Sequence, residues 1–223
     1  MCGRHMITSV HEAMARLFEA GLAELGPDVA RLNVSPTEPV PVVVSHDGDR
    51  SIVPMRWGLL PPFYRTVNGG PLLINAHAEG IAGKPAFRDA VRERRCLLPA
   101  DGFHEWQGEK RARTPYVIRP RAGGLMAFAG IWQEYRAPEG RISTCAIVTC
   151  PANTALAPIH ERMPVVIGRE DFALWLGEAG HGASRLMVPA PEEDLVAEPA
   201  DAETRAMLAS RAAPPPGVLS VRV

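Results

Sequence analysis

Proline and glycine divide this chain into many short segments. The 223 residues include 22 prolines and 20 glycines spread along the whole length, and both residue types mark turns and interrupt helices. Long helices are therefore excluded over most of the chain, and a helical bundle is not expected. With 46% hydrophobic residues, the chain is still long enough to bury one substantial core. We expect a single domain built from many short elements.

Between these breaks, short apolar runs rich in β-branched residues predict strands. The predicted strands cover residues 40–44, 72–74, 116–118, 126–132, 144–149 and 165–167. Apolar residues at helical spacing predict helices over residues 10–23, 87–95 and 171–176, and an alanine-rich run through Ser210 is helix-like. Many strands with few crossover helices favour an α+β domain, in which short helices flank an antiparallel or mixed, barrel-like sheet.

Charge and cysteine usage narrow the possible function classes. The formal net charge is −1, so binding of a polyanion would need a local cluster of arginine and lysine. No apolar run is long enough to span a membrane, and polar residues interrupt the N-terminal segment. The four cysteines lack the spacing of a disulfide framework. We expect a cytoplasmic monomer with reduced thiols and no membrane partner.

Cys2 follows an initiator methionine, which is usually removed before a small side chain. Removal of Met1 would leave a free amine and a free thiol on adjacent carbons. With a pKa near 7.7–8, roughly a tenth or more of such an amine is neutral at cellular pH and can condense with an aldehyde, after which the thiol closes a thiazolidine ring. Cys2 is otherwise only a small residue placed there by chance, and its position alone favours that interpretation.

Seven segments, in the same order along the chain, resemble the SOS-response-associated peptidase (SRAP) family of abasic-site processing proteins. They are residues 1–4 (MCGR), 32–36 (LNVSP), 55–61 (MRWGLLP), 75–79 (NAHAE), 95–106 (RCLLPADGFHEW), 128–132 (FAGIW) and 159–164 (IHERMP). One such motif is weak evidence, but seven in order make accidental similarity improbable. The resemblance implies an SRAP-like domain over residues 1–211, followed by a proline-rich tail over residues 212–223 that we expect to be partly disordered.

The resemblance also implies a function in the DNA damage response. It implies recognition of abasic sites in single-stranded DNA and their covalent capture by Cys2, with lyase-type imine chemistry and autoproteolytic removal of Met1. Abasic single-stranded DNA is then the expected partner, and the cytoplasmic protein would associate with the nucleoid when bound. No metal or cofactor is expected.

Three further residues receive catalytic roles from the resemblance. An abasic deoxyribose is mostly a closed hemiacetal, so an acid-base group must open the ring before the amine can attack. The family motif assigns this step to Glu105, whose apolar neighbours provide a setting in which a carboxyl group can stay protonated. His160 would assist imine formation, since imidazole titrates near neutral pH. Asn75 would hold the Cys2 amine or the sugar.

Each of these residues also has a structural interpretation. Glu105 could lie on a surface turn, Asn75 could cap the end of a strand, and His160 could have a structural role. Only the family pattern favours a joint site, because sequence spacing cannot show that distant residues meet. Two His-Glu pairs, at residues 104–105 and 160–161, do not predict zinc, since neither supplies a second histidine at the helical i+4 position.

DNA contacts must come from a few positive or polar side chains near the matching motifs. Aromatic residues could stack on bases or separate strands, although core packing is the stronger expectation for Trp57. Phe63 and Tyr64 follow two prolines in a loop-like stretch, which favours exposure. The expected DNA-binding residues are Arg4, Asn33, Pro36, Arg56, Trp57, Phe63, Tyr64, His77, Arg88 and Arg162.

The chain departs from the family pattern in two places. The usual motif reads Asn-Ala-Arg, but here His77 stands third, so a phosphate contact made by a permanent cation becomes dependent on pH. We expect affinity for single-stranded DNA to fall between about pH 6 and pH 8, since an unperturbed imidazole titrates near 6.5. After Leu186 the family pattern is not clear.

Two other function classes stay open at this stage. In a cysteine peptidase, which the family name suggests, Cys2 would be the nucleophile and His160 the base. Alternatively, the chain could be a non-catalytic module that binds single-stranded DNA.

Overall fold

The computed structural model describes residues 2–109, 112–138 and 140–210. The proline-rich tail expected over residues 212–223 lies outside this part of the chain, and so does Met1. The helices are α1 (His11–Phe18), α2 (Arg88–Glu93), α3 (Phe172–Leu176) and α4 (Ala202–Ala209). The strands are β1 (Arg4–Ile7), β2 (Gly21–Leu22), β3 (Arg31–Val34), β4 (Pro39–His46), β5 (Asp49–Trp57), β6 (Asn75–His77), β7 (Arg95–Ala100), β8 (Gly102–Gln107), β9 (Thr114–Pro120), β10 (Met126–Ala137), β11 (Gly140–Pro151), β12 (Arg162–Pro164) and β13 (Leu195–Pro199).

Five strands close into a small mixed barrel. Antiparallel ladders join β5 to β4, β4 to β7, β7 to β10 and β10 to β11. The barrel closes where β11 pairs in parallel with β5, at Thr144 opposite Arg56 and Cys145 opposite Trp57. Strands β2, β6 and β12 extend this sheet. The predicted α+β class, with a mixed barrel-like sheet and short helices, is confirmed.

A second, antiparallel sheet covers one side of the barrel, with the strand order β13-β9-β8-β1-β3. In this sheet His5 of β1 lies opposite Phe103 of β8. The His5 ring contacts Trp57 with ring centres 4.7 Å apart, and the Phe103 ring contacts Phe128 at 5.8 Å. Burying an aromatic side chain of this size contributes roughly 1.5–3 kcal/mol. These contacts fix β1, which follows Cys2 in the chain, and its partner β8 against the barrel.

Strands predicted over residues 40–44, 116–118, 126–132 and 144–149 are confirmed within β4, β9, β10 and β11. The strand predicted over residues 72–74 is wrong, because Leu73 forms only an isolated bridge with Leu59 and the strand β6, which pairs in parallel with β11, begins at Asn75. Residues 165–167 do not form the predicted strand. They contribute an isolated bridge between Val166 and Phe128, together with backbone bonds to neighbouring strands.

The helices predicted over residues 87–95 and 171–176 correspond to α2 and α3, and the helix-like run before Ser210 corresponds to α4. The helix predicted over residues 10–23 is shorter than expected, because Glu19 adopts a left-handed conformation and ends α1. The chain then enters β2 at Gly21, where it pairs with β5. The apolar helical pattern therefore extends into residues 21–22, which form strand β2 because they pair with β5.

The described cysteines, Cys2, Cys96, Cys145 and Cys150, are all buried and free of disulfides. Within the described ranges, no helix has both the length and the apolar composition needed to cross a membrane.

Candidate active site

Cys2 lies in the core, immediately before β1, and its exposed fraction is 0%. The ladder between β1 and β8, with Arg4 opposite His104, places this N-terminal segment beside β8. From the other side, Asn75 Nδ2 donates a hydrogen bond of 3.0 Å to the Cys2 carbonyl oxygen. Asn75 stands in β6 as its first residue, so it does not cap the end of a strand.

Glu105 lies in β8, opposite Tyr116 of β9, and is only 5% exposed. It is therefore a core residue of the second sheet and does not lie on a surface turn. Burial raises the pKa of the Cys2 thiol well above its usual value, and the nearby Glu105 carboxylate raises it further. The thiol therefore stays protonated, and the carboxylate is close enough to act on Cys2 through its charge.

His160 joins Glu105 at a small cavity. Both residues line it, together with Phe103, Ile159 and Arg162 among others. His160 Nδ1 accepts a hydrogen bond of 3.0 Å from the Arg162 backbone N–H. A neutral His160 ring therefore carries its proton on Nε2. Cys2 therefore contacts Asn75 and lies near Glu105, and Glu105 shares the cavity with His160, although the four residues come from separate segments of the chain.

Among the residues that the structure describes, no group of histidine, cysteine, aspartate and glutamate could hold a metal ion. The His-Glu pair at residues 104–105 illustrates the reason. His104 is buried and its Nε2 lies 3.0 Å from the Leu32 carbonyl oxygen, whereas adjacent residues of a strand point to opposite faces of the sheet. The two side chains therefore cannot converge on one ion.

Arg162 places a guanidinium beside this cavity, but the cation has a carboxylate partner. Its Nη1 and Nη2 donate to the two oxygens of Glu79 at 2.7 and 2.9 Å, and Nη2 also donates to the Thr149 carbonyl oxygen at 2.6 Å. This bidentate pair lowers the pKa of Glu79 to about 2, chiefly through the hydrogen bonds from Arg162. A phosphate bound at Arg162 must share the guanidinium with Glu79 or displace it.

His77 is in β6, opposite Thr149 of β11. Burial lowers the pKa of its imidazole below the usual value, and the neighbouring cations Arg162 and Lys84 lower it further. At neutral pH the ring is therefore mostly uncharged in the free protein. The pH range in which a His77 cation could contribute to DNA binding therefore lies lower than it would for an unperturbed histidine.

Arg4 and Asn33 form a second polar group near the N-terminal segment. Arg4 Nη1 donates to Asn33 Oδ1 at 2.6 Å, and Asn33 Nδ2 donates to the Met207 carbonyl oxygen of α4 at 3.2 Å. The C-terminal helix therefore contacts a pair of residues that the sequence assigned to DNA. Pro36 lies in the short connection between β3 and β4.

The structure does not support direct DNA contacts by Arg56 and Trp57. Their exposed fractions are 2% and 0%. Arg56 Nη1 donates to the Gly58 carbonyl oxygen at 2.6 Å, and Trp57 Nε1 donates to the Ile74 carbonyl oxygen at 3.1 Å. Both side chains close the barrel where β5 meets β11, and this packing explains why they are not available to a ligand.

Phe63 and Tyr64 differ in exposure. Phe63 is 59% exposed and its ring contacts the Tyr64 ring with centres 5.5 Å apart, so its expected stacking on DNA stays a prediction. Tyr64 is partly buried, and its hydroxyl donates to the Pro71 carbonyl oxygen at 3.0 Å. Arg88 is exposed on α2 and pairs with the adjacent Asp89 at 3.4 Å.

Sequence reasoning gave no role to Glu79 or Thr149. Glu79 is part of the fourth family-like segment, and an acid placed two residues after His77 was the available signal. Nothing local connects it to Arg162, which is 83 residues away. Two further buried histidines, His5 and His104, are also core residues, and burial lowers the pKa of His5 to about 3.

Comparisons with known proteins show the family to which the chain is similar. The family model described as "SOS response associated peptidase (SRAP)" matches residues 1–206. The abasic site processing protein YoqW of Bacillus subtilis is 33% identical over 180 residues, which cover 79% of this chain and 80% of the relative. The abasic site processing protein HMCES of Mus musculus is 30% identical over 184 residues, which cover 65% of this chain and 52% of the relative.

Solved structures share the fold. A Bacteroides thetaiotaomicron protein superposes with a TM-score of 0.79 at 23% identity, covering 91% of this chain and 93% of that one. A phage-related protein from Bordetella bronchiseptica superposes with a TM-score of 0.69 at 27% identity, covering 89% of this chain and 94% of that one.

Proposed function

The chain belongs to the SOS response associated peptidase family, and from this membership we propose that it processes abasic sites in single-stranded DNA by covalent capture through Cys2. Relatives at 30–33% identity are named abasic site processing proteins. The observation that carries the proposal is the position of Cys2, which is bound by Asn75 and lies within electrostatic reach of Glu105. We refer to Cys2, Asn75, Glu105 and His160 as the capture site.

The chemistry begins once Met1 has been removed. Glu105 moves a proton as the sugar ring opens to the aldehyde. The Cys2 amine then attacks the aldehyde carbon, and loss of one water gives an imine. Cys2 Sγ adds to the imine carbon while its proton passes to the nitrogen, which closes the thiazolidine. Sγ and the amine nitrogen belong to one residue, so this closure benefits from a high effective concentration.

Asn75 and His160 support these steps in different ways. The Asn75 amide fixes the Cys2 carbonyl, and it does so without a titratable proton. His160, with its Nδ1 occupied by the Arg162 N–H, exchanges protons through Nε2 as water leaves.

The raised pKa of the Cys2 thiol favours capture over the peptidase alternative. A cysteine peptidase needs a thiolate, which nearby positive charge normally stabilises. At Cys2, burial and the Glu105 carboxylate both act in the opposite direction. Ring closure onto an imine uses a thiol that is already adjacent and can lose its proton during the attack.

Intact mass spectrometry tests the proposal with a single-stranded oligonucleotide that carries one abasic site. We expect wild-type protein without Met1 to form a heat-stable adduct whose mass is the sum of both molecules minus one water. Cys2→Ser should bind the oligonucleotide but lose the heat-stable adduct, because a hydroxyl closes and holds such a ring poorly. Cys96→Ala, which removes another buried thiol, is the matched control and should react like wild type.

Four results would contradict covalent capture by Cys2. An equally heat-stable adduct of Cys2→Ser would identify another nucleophile, and an adduct of protein that retains Met1 would exclude the thiazolidine. Cleavage of peptides without any adduct would support the peptidase, and reversible retention alone would support a binding module.

A further inference from the structure

A groove outside the capture site extends from the Glu79–Arg162 ion pair. Two adjoining cavities, with volumes of about 440 and 620 Å³, share the lining residues Ile81, Ala82, Ser184 and Met187. We call them together the side groove. Cavities of this size accommodate small ligands, so the side groove has room for a short stretch of a polymer chain.

One end of the side groove adjoins the Glu79–Arg162 ion pair, and Arg162 lines the small cavity that Glu105 and His160 share. Glu79 lines that end and is the carboxylate that binds Arg162. Pro151 also lines it, and Pro151 lies directly opposite Arg162 in the ladder between β11 and β12. A DNA strand with a phosphate at Arg162 could therefore continue directly into the side groove.

The other end is positively charged. Arg92 and Arg95 line it. Arg95 donates to the carbonyl oxygens of Val91 and Trp175, and neutral carbonyls leave the charge of the guanidinium intact. Glu93 also lines this end, but it is paired with Arg94 at 2.9 Å. Within the described part of the chain, no carboxylate lies within ion-pair distance of Arg92, so this end carries a net positive charge.

The walls between the two ends are mostly apolar. Ile81, Val91 and Leu176 contribute to them, and none of the residues that line the side groove is a phenylalanine, tyrosine or tryptophan. Apolar walls suit the sugar and base edges of a nucleotide, whereas aromatic platforms for base stacking are missing. Such a groove would bind the phosphate backbone of a strand through charge, without preference for base sequence.

We propose that the side groove binds the single-stranded DNA that flanks the abasic site, with Arg92 and Arg95 contacting its phosphates. This inference rests on the proposed function, because it takes the same DNA as the ligand. The side groove would hold the strand on one side of the lesion only, since it extends from the Glu79–Arg162 pair towards Arg92 and Arg95.

The test measures the affinity for undamaged single-stranded oligonucleotides of increasing length, and the dependence of that affinity on salt concentration. It uses two variants outside the capture site. Arg92→Glu reverses a charge at the far end, and Ser184→Glu adds a negative charge to the exposed middle of the groove. Arg141→Glu, at the exposed start of β11, is the charge-matched control for Arg92→Glu.

Release of counterions from one phosphate is worth about fivefold in affinity at 0.1 M salt. We expect Arg92→Glu and Ser184→Glu each to lose at least about fivefold for long oligonucleotides, and the logarithmic salt slope to fall by about 0.7 per lost contact. Arg141→Glu should bind like wild type.

Oligonucleotides that extend from the abasic site only to its 5′ side or only to its 3′ side show which side of the lesion binds in the side groove. One of the two extensions should strengthen binding by wild-type protein, and both groove variants should lose that gain. Their capture rate on the shortest abasic oligonucleotide should equal that of wild type.

Equal affinities and salt slopes for wild type and both groove variants would overturn the proposal. A wild-type protein that captures abasic DNA but gains nothing from either extension would also overturn it, while leaving the proposed function intact. Conversely, a gain from one extension without any covalent adduct would support the side groove and contradict covalent capture.

Discussion

The capture site and the side groove meet at Glu79 and Arg162, yet they are built in opposite ways. Cys2 and Glu105 are buried between strands of the two sheets, and Asn75 fixes the backbone of Cys2. In the side groove, Arg92 and Ser184 are exposed on α2 and on the segment after α3. One region holds titratable groups in fixed positions, and the other presents permanent charge to solvent.

This difference separates two kinds of energetic effect. Under the proposed mechanism, groups in the capture site act on the reacting bonds, so their loss should change rates much more than affinity. Groups in the side groove act on DNA through charge, so their loss should change affinity and its salt dependence. Arg162, His77 and Glu79 lie between the capture site and the side groove, so substitutions there test both the effect on rate and the effect on affinity.

The largest expected effect is at Glu105. Glu105→Gln keeps the shape of the side chain but removes its acid-base function, so we expect capture of abasic DNA to slow by about 10²–10⁴-fold. Affinity for undamaged single-stranded DNA should change by less than about twofold, because a neutral amide of the same size replaces the carboxylate. Single-turnover kinetics with excess protein measure the rate, and equilibrium titration measures the affinity.

Equal capture rates for Glu105→Gln and wild type would remove Glu105 from the mechanism. A parallel loss of affinity and rate would show that the capture site also binds the strand, and the separation between the two regions would then fail.

An intermediate effect is expected at the Glu79–Arg162 pair. Glu79→Gln removes the carboxylate that competes with a phosphate for Arg162, so affinity for single-stranded DNA should rise by about 1.5–5-fold, the range of a partly exposed ion pair. Arg162→Ala should lower affinity, by about tenfold for the loss of a charged hydrogen-bonding partner.

Glu19→Gln is the matched control for Glu79→Gln, because Glu19 also pairs with an arginine, Arg169, at 2.9 Å. An increase in affinity of the same size in Glu19→Gln would show that the effect of Glu79→Gln comes from the change in net charge and not from the release of Arg162. Unchanged affinity in Arg162→Ala would mean that the guanidinium only supports Glu79 and the strand β11.

The smallest effect is expected at His77, through pH. The pKa of His77 is lowered in the free protein, and a bound phosphate would raise it. The contribution of the His77 cation to affinity is therefore fully present below the free-protein pKa and is lost as pH rises through the pKa of the complex. The fall should then begin at lower pH than the sequence-based window of about pH 6 to pH 8.

His77→Arg should remove this pH dependence and bind single-stranded DNA about two- to fivefold more tightly at pH 8, as a permanent cation does at one phosphate. His46→Arg is the control, since the His46 side chain is 94% exposed on the loop end of β4. Titration of DNA affinity across pH in all three proteins is the measurement. Parallel curves with equal affinities would show that His77 does not face the DNA backbone.

The amino-acid sequence by itself determined the fold class, because the even spread of proline and glycine permits only short helices. Helices α2 and α3 followed from apolar residues at helical spacing, and the long strands β4, β10 and β11 followed from β-branched runs. These patterns lie within single segments, so they can be recognised without knowing which segments become neighbours. The family-like segments also indicated Cys2, Asn75, Glu105 and His160 as one set.

The tertiary structure decided what lies inside and which charges meet. Arg56 and Trp57 are polar or amphipathic residues in a motif, yet the pairing of β5 with β11 buries both. Asn75 joins a strand because a parallel partner in β11 is present. Glu79 neutralises Arg162 across 83 residues of sequence. Such contacts depend on which distant segments become neighbours, and that information is not contained in any local pattern of residues.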